Sequence, residues 1–210
     1  MKKGMICSLL AAVMLIAGFL SACSDGGSTS SNISKDLSST STSTGASHSQ
    51  KSSDRSSITK TEFNKIKDGM TYKEVATIVG SNGEVMSEAG EKGDPAHTVI
   101  YSWNGDKGWG ANANVTFQNN KVINKAQFGV DSGSSAKITM KKFDQVKNGM
   151  TYDQIKSIIG GDGAKDSESG TEGSADYTVI YSFQGSNLGS NATFMFQGGK
   201  LINKAQAGLK

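Results

Sequence analysis

Asp166, Glu168, Glu172 and Asp176 place four carboxylates close together in the chain. Calcium takes oxygen ligands of this kind. Their spacing fits no EF-hand, and the matching stretch of an internal repeat does not preserve it, so they read as a solvated loop. Gly80–Gly83 and Gly160–Gly163 lack the Lys-Ser/Thr that a phosphate-cradling loop requires. The histidines are His48 and His97. No His/Cys metal set and no nucleophile–base pair can be assembled from motifs. The sequence therefore argues for a protein that is not an enzyme and that has no metal and no cofactor.

Binding chemistry is better represented. The stretch Asn104–Ala111 carries Asp106, Lys107 and Trp109, with Gly108 and Gly110 flanking the Trp. Trp is enriched at interface hot spots. An exposed loop Trp here would be an anchor for a partner; a Trp folded back onto its own sheet would not. Trp103 aligns with Phe183 and reads as core.

The ends of the chain point to an extracytoplasmic protein. Lys2 and Lys3 precede an apolar run from Met5 to Leu20, followed by Leu20-Ser21-Ala22-Cys23. A charged start, a short apolar stretch and small residues before a cut site describe a signal peptide, residues 1–22. The run is too short for a comfortable membrane span, which takes about 20 residues. Leu-Ser-Ala-Cys resembles the bacterial lipobox, which implies lipidation of Cys23 and anchorage to the membrane. Cys7 would leave with the signal, so no disulfide framework remains. Residues 24–57 hold 15 Ser and 4 Thr, with Ile33 and Leu37 as their only larger aliphatics. Such a segment cannot bury enough apolar surface to offset its chain entropy, and it reads as a disordered tether from Cys23 to 57. A Ser/Thr-rich spacer after a lipobox suggests a Gram-positive surface lipoprotein. The net charge of +3 is too weak to argue for nucleic acid.

The rest of the chain is a duplication. Residues 58–105 align with 138–185 and residues 112–129 with 191–208, giving 32 identities over 66 columns. Two domains, 58–130 and 138–210, are expected, joined by a hinge over 131–137. Each copy reads α-α-β-β-β-β, an α+β class of two tandem α-α-β4 domains. Gly69-Met70-Thr71-Tyr72 returns as Gly149-Met150-Thr151-Tyr152 between two amphipathic segments. Gly69 and Gly149 can end one helix in the left-handed conformation. Thr71 with Glu74, and Thr151 with Gln154, form capping boxes for the next. In the first copy the pattern predicts helices over Lys60–Lys67 and Tyr72–Val79. Strands are predicted over Glu84–Glu88, His97–Asn104, Asn112–Gln118 and Lys121–Phe128. Asn119-Asn120 and Gly198-Gly199 suit two-residue hairpin turns.

Alternation along the strands sorts the faces. Val99, Tyr101, Trp103, Val115 and Phe117 would pack on the helices. Thr98, Ile100, Ser102, Asn114, Thr116, Lys125 and Gln127 would show on the open face. In the second copy, Thr178, Ile180, Ser182, Thr193, Met195, Lys204 and Gln206 would do the same. That uncovered face is either a binding surface or an ordinary solvated one.

The run Phe63–Gly80, repeated as Phe143–Gly160, resembles the opening of each repeat of the β-lactamase inhibitory protein (BLIP) family. The resemblance extends over nearly all of 58–209. It implies two tandem α-α-β4 units whose sheets clamp a β-lactamase or a related penicillin-recognising enzyme. It also implies that the loop Asn104–Ala111 enters the enzyme, where the family uses an Asp; here Gly108–Gly110 occupy the aligned place and Asp106 lies earlier. The candidate contacts are then Asp106, Lys107, Trp109, Ile100, Lys125, Ile180, Met195 and Lys204, directed at an unidentified extracytoplasmic protein. A Gly-Met-Thr helical hairpin before a small sheet also resembles the SmpA/BamE lipoproteins. That likeness implies a structural role in envelope assembly, through the helical side.

Overall fold

A computed structural model describes residues 57–210. The signal peptide, Cys23 and nearly all of the tether lie outside the described residues.

The first copy opens with a two-residue strand, β1 (Ser57–Ile58), then α1 (Lys60–Lys65) and α2 (Tyr72–Val79). Four strands follow: β2 (Glu84–Ala89), β3 (Thr98–Gly105), β4 (Asn112–Gln118) and β5 (Lys121–Phe128). The second copy runs α3 (Met140–Gln145), α4 (Tyr152–Ile159), β6 (Ala164–Ser169), β7 (Thr178–Gln184), β8 (Asn191–Gln197) and β9 (Lys200–Ala207). Among the described residues no helix is long and apolar enough to cross a membrane.

The helices start where their caps dictate. Thr59 and Thr71 each accept the amide of the Glu three residues on, and Glu62 and Glu74 reach back to the cap amides. Thr151 and Gln154 repeat the reciprocal arrangement. The first helix of each copy ends earlier than the glycine suggests. Ile66 and Val146 leave α1 and α3 in extended conformation. Gly69 and Gly149, at φ +76° and +85°, shape the turn that follows. Gly80 and Gly160 are the glycines that cap a helix, α2 and α4.

Both copies feed one sheet. The order β1-β3-β4-β5-β6-β7-β8-β9 is continuous, and β2 also pairs with β3. Two separate four-stranded sheets were expected; instead β5 pairs antiparallel with β6, joining Asn124 to Ser169, Lys125 to Glu168 and Ala126 to Ser167. β1 lies parallel to β3 at one end, where it buries Ile58. Two residues are too few for a sequence pattern to announce a strand.

The segment 131–137, read as a hinge, is fastened down. The buried Asp131 accepts the amides of Gly133 and Lys165 and pairs with Lys60 at 2.7 Å. The Ser134 amide and hydroxyl both donate to Asp162 O. A Cβ on Gly133 would stand 2.7 Å from Ala164 N, so the backbones touch at this point.

The core lies between the helices and one face of the sheet. Phe63, Val75, Trp103, Val115 and Phe117 fill the first copy; Phe143, Ile155, Phe183, Phe194 and Phe196 fill the second. Tyr72 stacks on Tyr101 at 4.3 Å, and Tyr152 on Tyr181 at 4.1 Å. Trp103 is core, as expected, and its indole N–H donates to Ser81 O.

Candidate functional site

Strict alternation misplaces two of the predicted contact residues. Val122 pairs with Phe117 but Asn124 pairs with Thr116, so Ile123 is one residue too many on β5. This bulge flips the strand's remaining side chains to the other face. Lys125 therefore stands opposite Val115, under the helices, at 1% exposure. Its ammonium donates to Phe63 O at 2.6 Å and Ile66 O at 2.7 Å, and lies 4.6 Å from the Phe63 ring centre. These carbonyls lie at the α1 C-terminus, where Phe63 O also accepts the Ile66 amide and a cation meets the helix dipole favourably. Ile202 makes the same bulge on β9, and Lys204 donates to Phe143 O and Val146 O at 2.7 and 2.8 Å. Lys125 and Lys204 are thus structural lysines and drop out of the contact set. Gln127 leaves the open face with them: opposite Ala113, it binds the Val130 and Asp131 amides.

Glu168 also changes role. It is no loop residue but a buried side chain of β6, paired with Lys125 at 3.1 Å, bonded to Lys165, and accepting the Tyr177 hydroxyl at 2.9 Å. Burial pushes its carboxyl up, but the Lys165 bond and the Lys125 charge outweigh that and hold it below the usual range. Burial likewise lowers Lys125 to about 8. Glu172 pairs with Lys67 at 3.1 Å. Among the described residues no group of three or more His, Cys, Asp or Glu is placed to hold a metal.

Ile100, Ile180 and Met195 do lie on the open face. Ile100 sits between Ser87 and Thr116, and Ile180 between Ser167 and Met195. Because the sheet is continuous, the open faces of the two copies form one surface. Its residues are chiefly Thr, Ser and Asn from β3, β4, β7 and β8. Asp166, at the β6 bulge, accepts the Ser182 hydroxyl at 3.0 Å on this side, and burial raises its pKa to about 6.

The antiparallel order fixes where the loops emerge. The β3–β4 and β7–β8 hairpins, and the C-terminal end of β5, all lie at the same end of the sheet. Each presents a large apolar side chain to solvent: Trp109 at 103% exposure, Leu188 at 107% and Phe128 at 69%. The hairpins are four strand spacings apart, about 19 Å. A groove of 880 Å³ is lined by Phe128, Leu188, Asp166, Ser182, Asn191 and Thr193 among others. Trp109 is therefore an exposed loop tip, not folded back, and Asp106 and Lys107 are exposed beside it. Sequence reasoning missed Leu188 and Phe128. Leu188 was findable, since the 79-residue offset that aligns Gly110 with Gly189 sets Leu188 on Trp109.

The described chain is a mixed α/β fold with few helices, all packed on one face of a continuous sheet. The model of the β-lactamase inhibitor (BLIP) family matches residues 59–183 and again 152–210. The chain belongs to the BLIP family. Among solved structures it is similar to a candidate β-lactamase inhibitor protein from Streptococcus mutans. That match has 21% identity and a TM-score of 0.54, over 71% of this chain and 95% of the other. At that identity the likeness speaks for the fold. No curated protein matches this chain.

Proposed function

We propose that this chain is a non-enzymatic inhibitor-type module that grips an extracytoplasmic protein, a β-lactamase or a related penicillin-recognising enzyme. The observation that carries it is the apolar end of the sheet, where Trp109, Phe128 and Leu188 are exposed together on one end of a continuous open face. Exposed large apolar groups with a polar surround mark protein contact surfaces, and a Trp near the centre of such a surface is a typical anchor. Ile100, Ile180 and Met195 extend the surface across the open face, and Asp106 and Lys107 flank its tip. The family membership supports the target class. The signal sequence and Cys23 support secretion and a lipid anchor, with residues 24–57 as a tether holding the module off the membrane.

The test is hydrolysis of a chromogenic β-lactam by a panel of β-lactamases, with and without the chain. Inhibition of at least one enzyme is expected. Trp109→Ala and Leu188→Ala should each weaken that inhibition about tenfold or more, the loss of a central apolar contact. If no enzyme in the panel is inhibited or bound, the target class is wrong. If inhibition survives both substitutions, the docking end is elsewhere. The anchor is checked separately, by mass spectrometry of the Cys23 peptide from membranes.

A further inference from the structure

The inner seam between the copies has its two halves repeated, unjoined, at the outer edges of the sheet. At the seam, β5 pairs with β6, with Lys125 opposite Glu168. β9 is the counterpart of β5, and β2 the counterpart of β6, at offsets of 79 and 80 residues. Among the described residues β9 pairs only with β8 and β2 only with β3, so within this set each leaves one edge open. Asn124-Lys125-Ala126-Gln127 recurs without change as Asn203-Lys204-Ala205-Gln206.

The side chains match as well. Lys204 holds the α3 C-terminal carbonyls as Lys125 holds those of α1, and lies 4.1 Å from the Phe143 ring centre. It has no carboxylate within ion-pair distance among the described residues, whereas Lys125 has Glu168. At the other edge Glu88 stands where Glu168 stands, opposite Val99 as Glu168 is opposite Val179. His97 bonds it at 2.8 Å where Tyr177 bonds Glu168. A bulge follows Val85 in β2 just as one follows Lys165 in β6, and β6 accepts a neighbour nonetheless.

We propose that β9 of one copy of this chain pairs antiparallel with β2 of a second copy, repeating the inner seam between molecules. Asn203 then faces Ala89, Lys204 faces Glu88, and Ala205 faces Ser87. The main-chain groups of both open edges are satisfied, which is the general logic of strand addition, and Lys204 gains the carboxylate it lacks. The contact is head-to-tail, so it builds open chains rather than a closed dimer. It is weaker than the inner seam. Lys67 pairs with Glu172 there, while at the outer seam Lys147 meets Lys92 in the same position. The inner strands are also tethered, and separate molecules lack that effective concentration. Assembly is therefore reversible and concentration-dependent.

The test uses the full chain in the membranes of cells that express it, with a short bis-maleimide as cross-linker. The native chain has cysteines only at 7 and 23, so it serves as background. Ser87→Cys combined with Ala205→Cys should give a ladder of dimer, trimer and higher species. Co-expressed single variants should stop at the dimer. Ala126→Cys with Ser167→Cys, at the inner seam, should cross-link within one molecule and so proves the geometry. Adding Glu88→Lys to the ladder-forming pair should reduce the ladder about tenfold, while the thermal melt of that variant stays within a degree or two of the parent's. The proposal is overturned if the inner control reacts but no ladder forms. It is equally overturned if Ser87→Cys alone dimerises with itself, or if Glu88→Lys leaves the ladder intact. None of these readouts depends on inhibition of an enzyme.

Discussion

Lys125 and Lys204 sit at matching positions of the two copies, carry the same two carbonyl bonds, and lie over matching Phe rings. What differs is the strand beside them. Lys125 is enclosed by β6 and its charge is met by Glu168, while Lys204 lies at the free edge and is half-exposed. The same local sequence thus makes a buried ion-pair network in one copy and a partly solvated helix cap in the other. A duplicated unit is not a duplicated environment: its place in the sheet sets the energetic weight of each residue.

The sharpest way to break this comparison is to remove both ammonium groups in turn. Lys125→Met takes the ammonium away from Ile66 O, Phe63 O and the buried Glu168, and of these carbonyls only Phe63 O keeps a backbone donor, the Ile66 amide. Removing one member of a buried pair typically costs about 3–5 kcal/mol, and the low end applies because Lys165 and Tyr177 still hold Glu168. Lys204→Met frees carbonyls that water can reach, and should cost about 1 kcal/mol. Urea midpoints of the two variants measure the difference. Equal losses would mean that the seam adds nothing to Lys125.

Much of the local structure was legible because its causes are local. The threonine caps, the helix α2, the strands β4 and β5, and the hairpin at Asn119-Asn120, both at positive φ, follow from neighbouring residues. The seam was not legible, since the pairing of β5 with β6 joins residues some 40 apart in the chain and no pattern within either strand names its neighbour. The facing of Lys125 was lost to one extra residue at Ile123, which reverses a period-two pattern without changing the composition. Of the proposed contact surface, Trp109 was visible as a lone aromatic between glycines. Phe128 reads in the sequence as no more than the last residue of a strand, and it is the sheet order that sets the end of β5 beside the β3–β4 loop.

A smaller effect sharpens the contrast between the inner linker and the outer loops. Gly133 has φ +67° and its backbone touches Ala164. Gly133→Ala should cost about 2 kcal/mol, from overpacking and a strained backbone together. Gly189→Ala, on the β7–β8 hairpin, shares the backbone strain at φ +76° but its methyl meets nothing within 4 Å, so it should cost about 1 kcal/mol. Denaturant midpoints decide between them. A linker that tolerated the change as well as the loop does would be a hinge after all, and the two copies would hold together through the strands alone.

The smallest effect concerns the bulge residues of the two counterpart strands. Asp166 in β6 is half-buried, bonded to Ser182 and raised to about 6, whereas Met86 at the same bulge of the edge strand β2 is exposed. A carboxyl raised in the folded protein binds its proton more tightly there than in the unfolded chain. Its stabilising contribution is therefore complete below the ordinary value of 3.8 and is lost as the pH rises through about 6. Asp166→Asn removes that dependence while keeping a group able to bond Ser182. The variant should match the parent at pH 4 and exceed it by about 1 kcal/mol at pH 8, once solvent screening of a half-buried group is allowed for. Met86→Asp, in contrast, places a carboxylate in water and should keep the parent's slope between pH 4 and 8 without adding to it. Urea titrations of the three proteins at both pH values test the pair. An Asp166→Asn difference that does not change with pH would show that the inner strand imposes no more desolvation than the outer one.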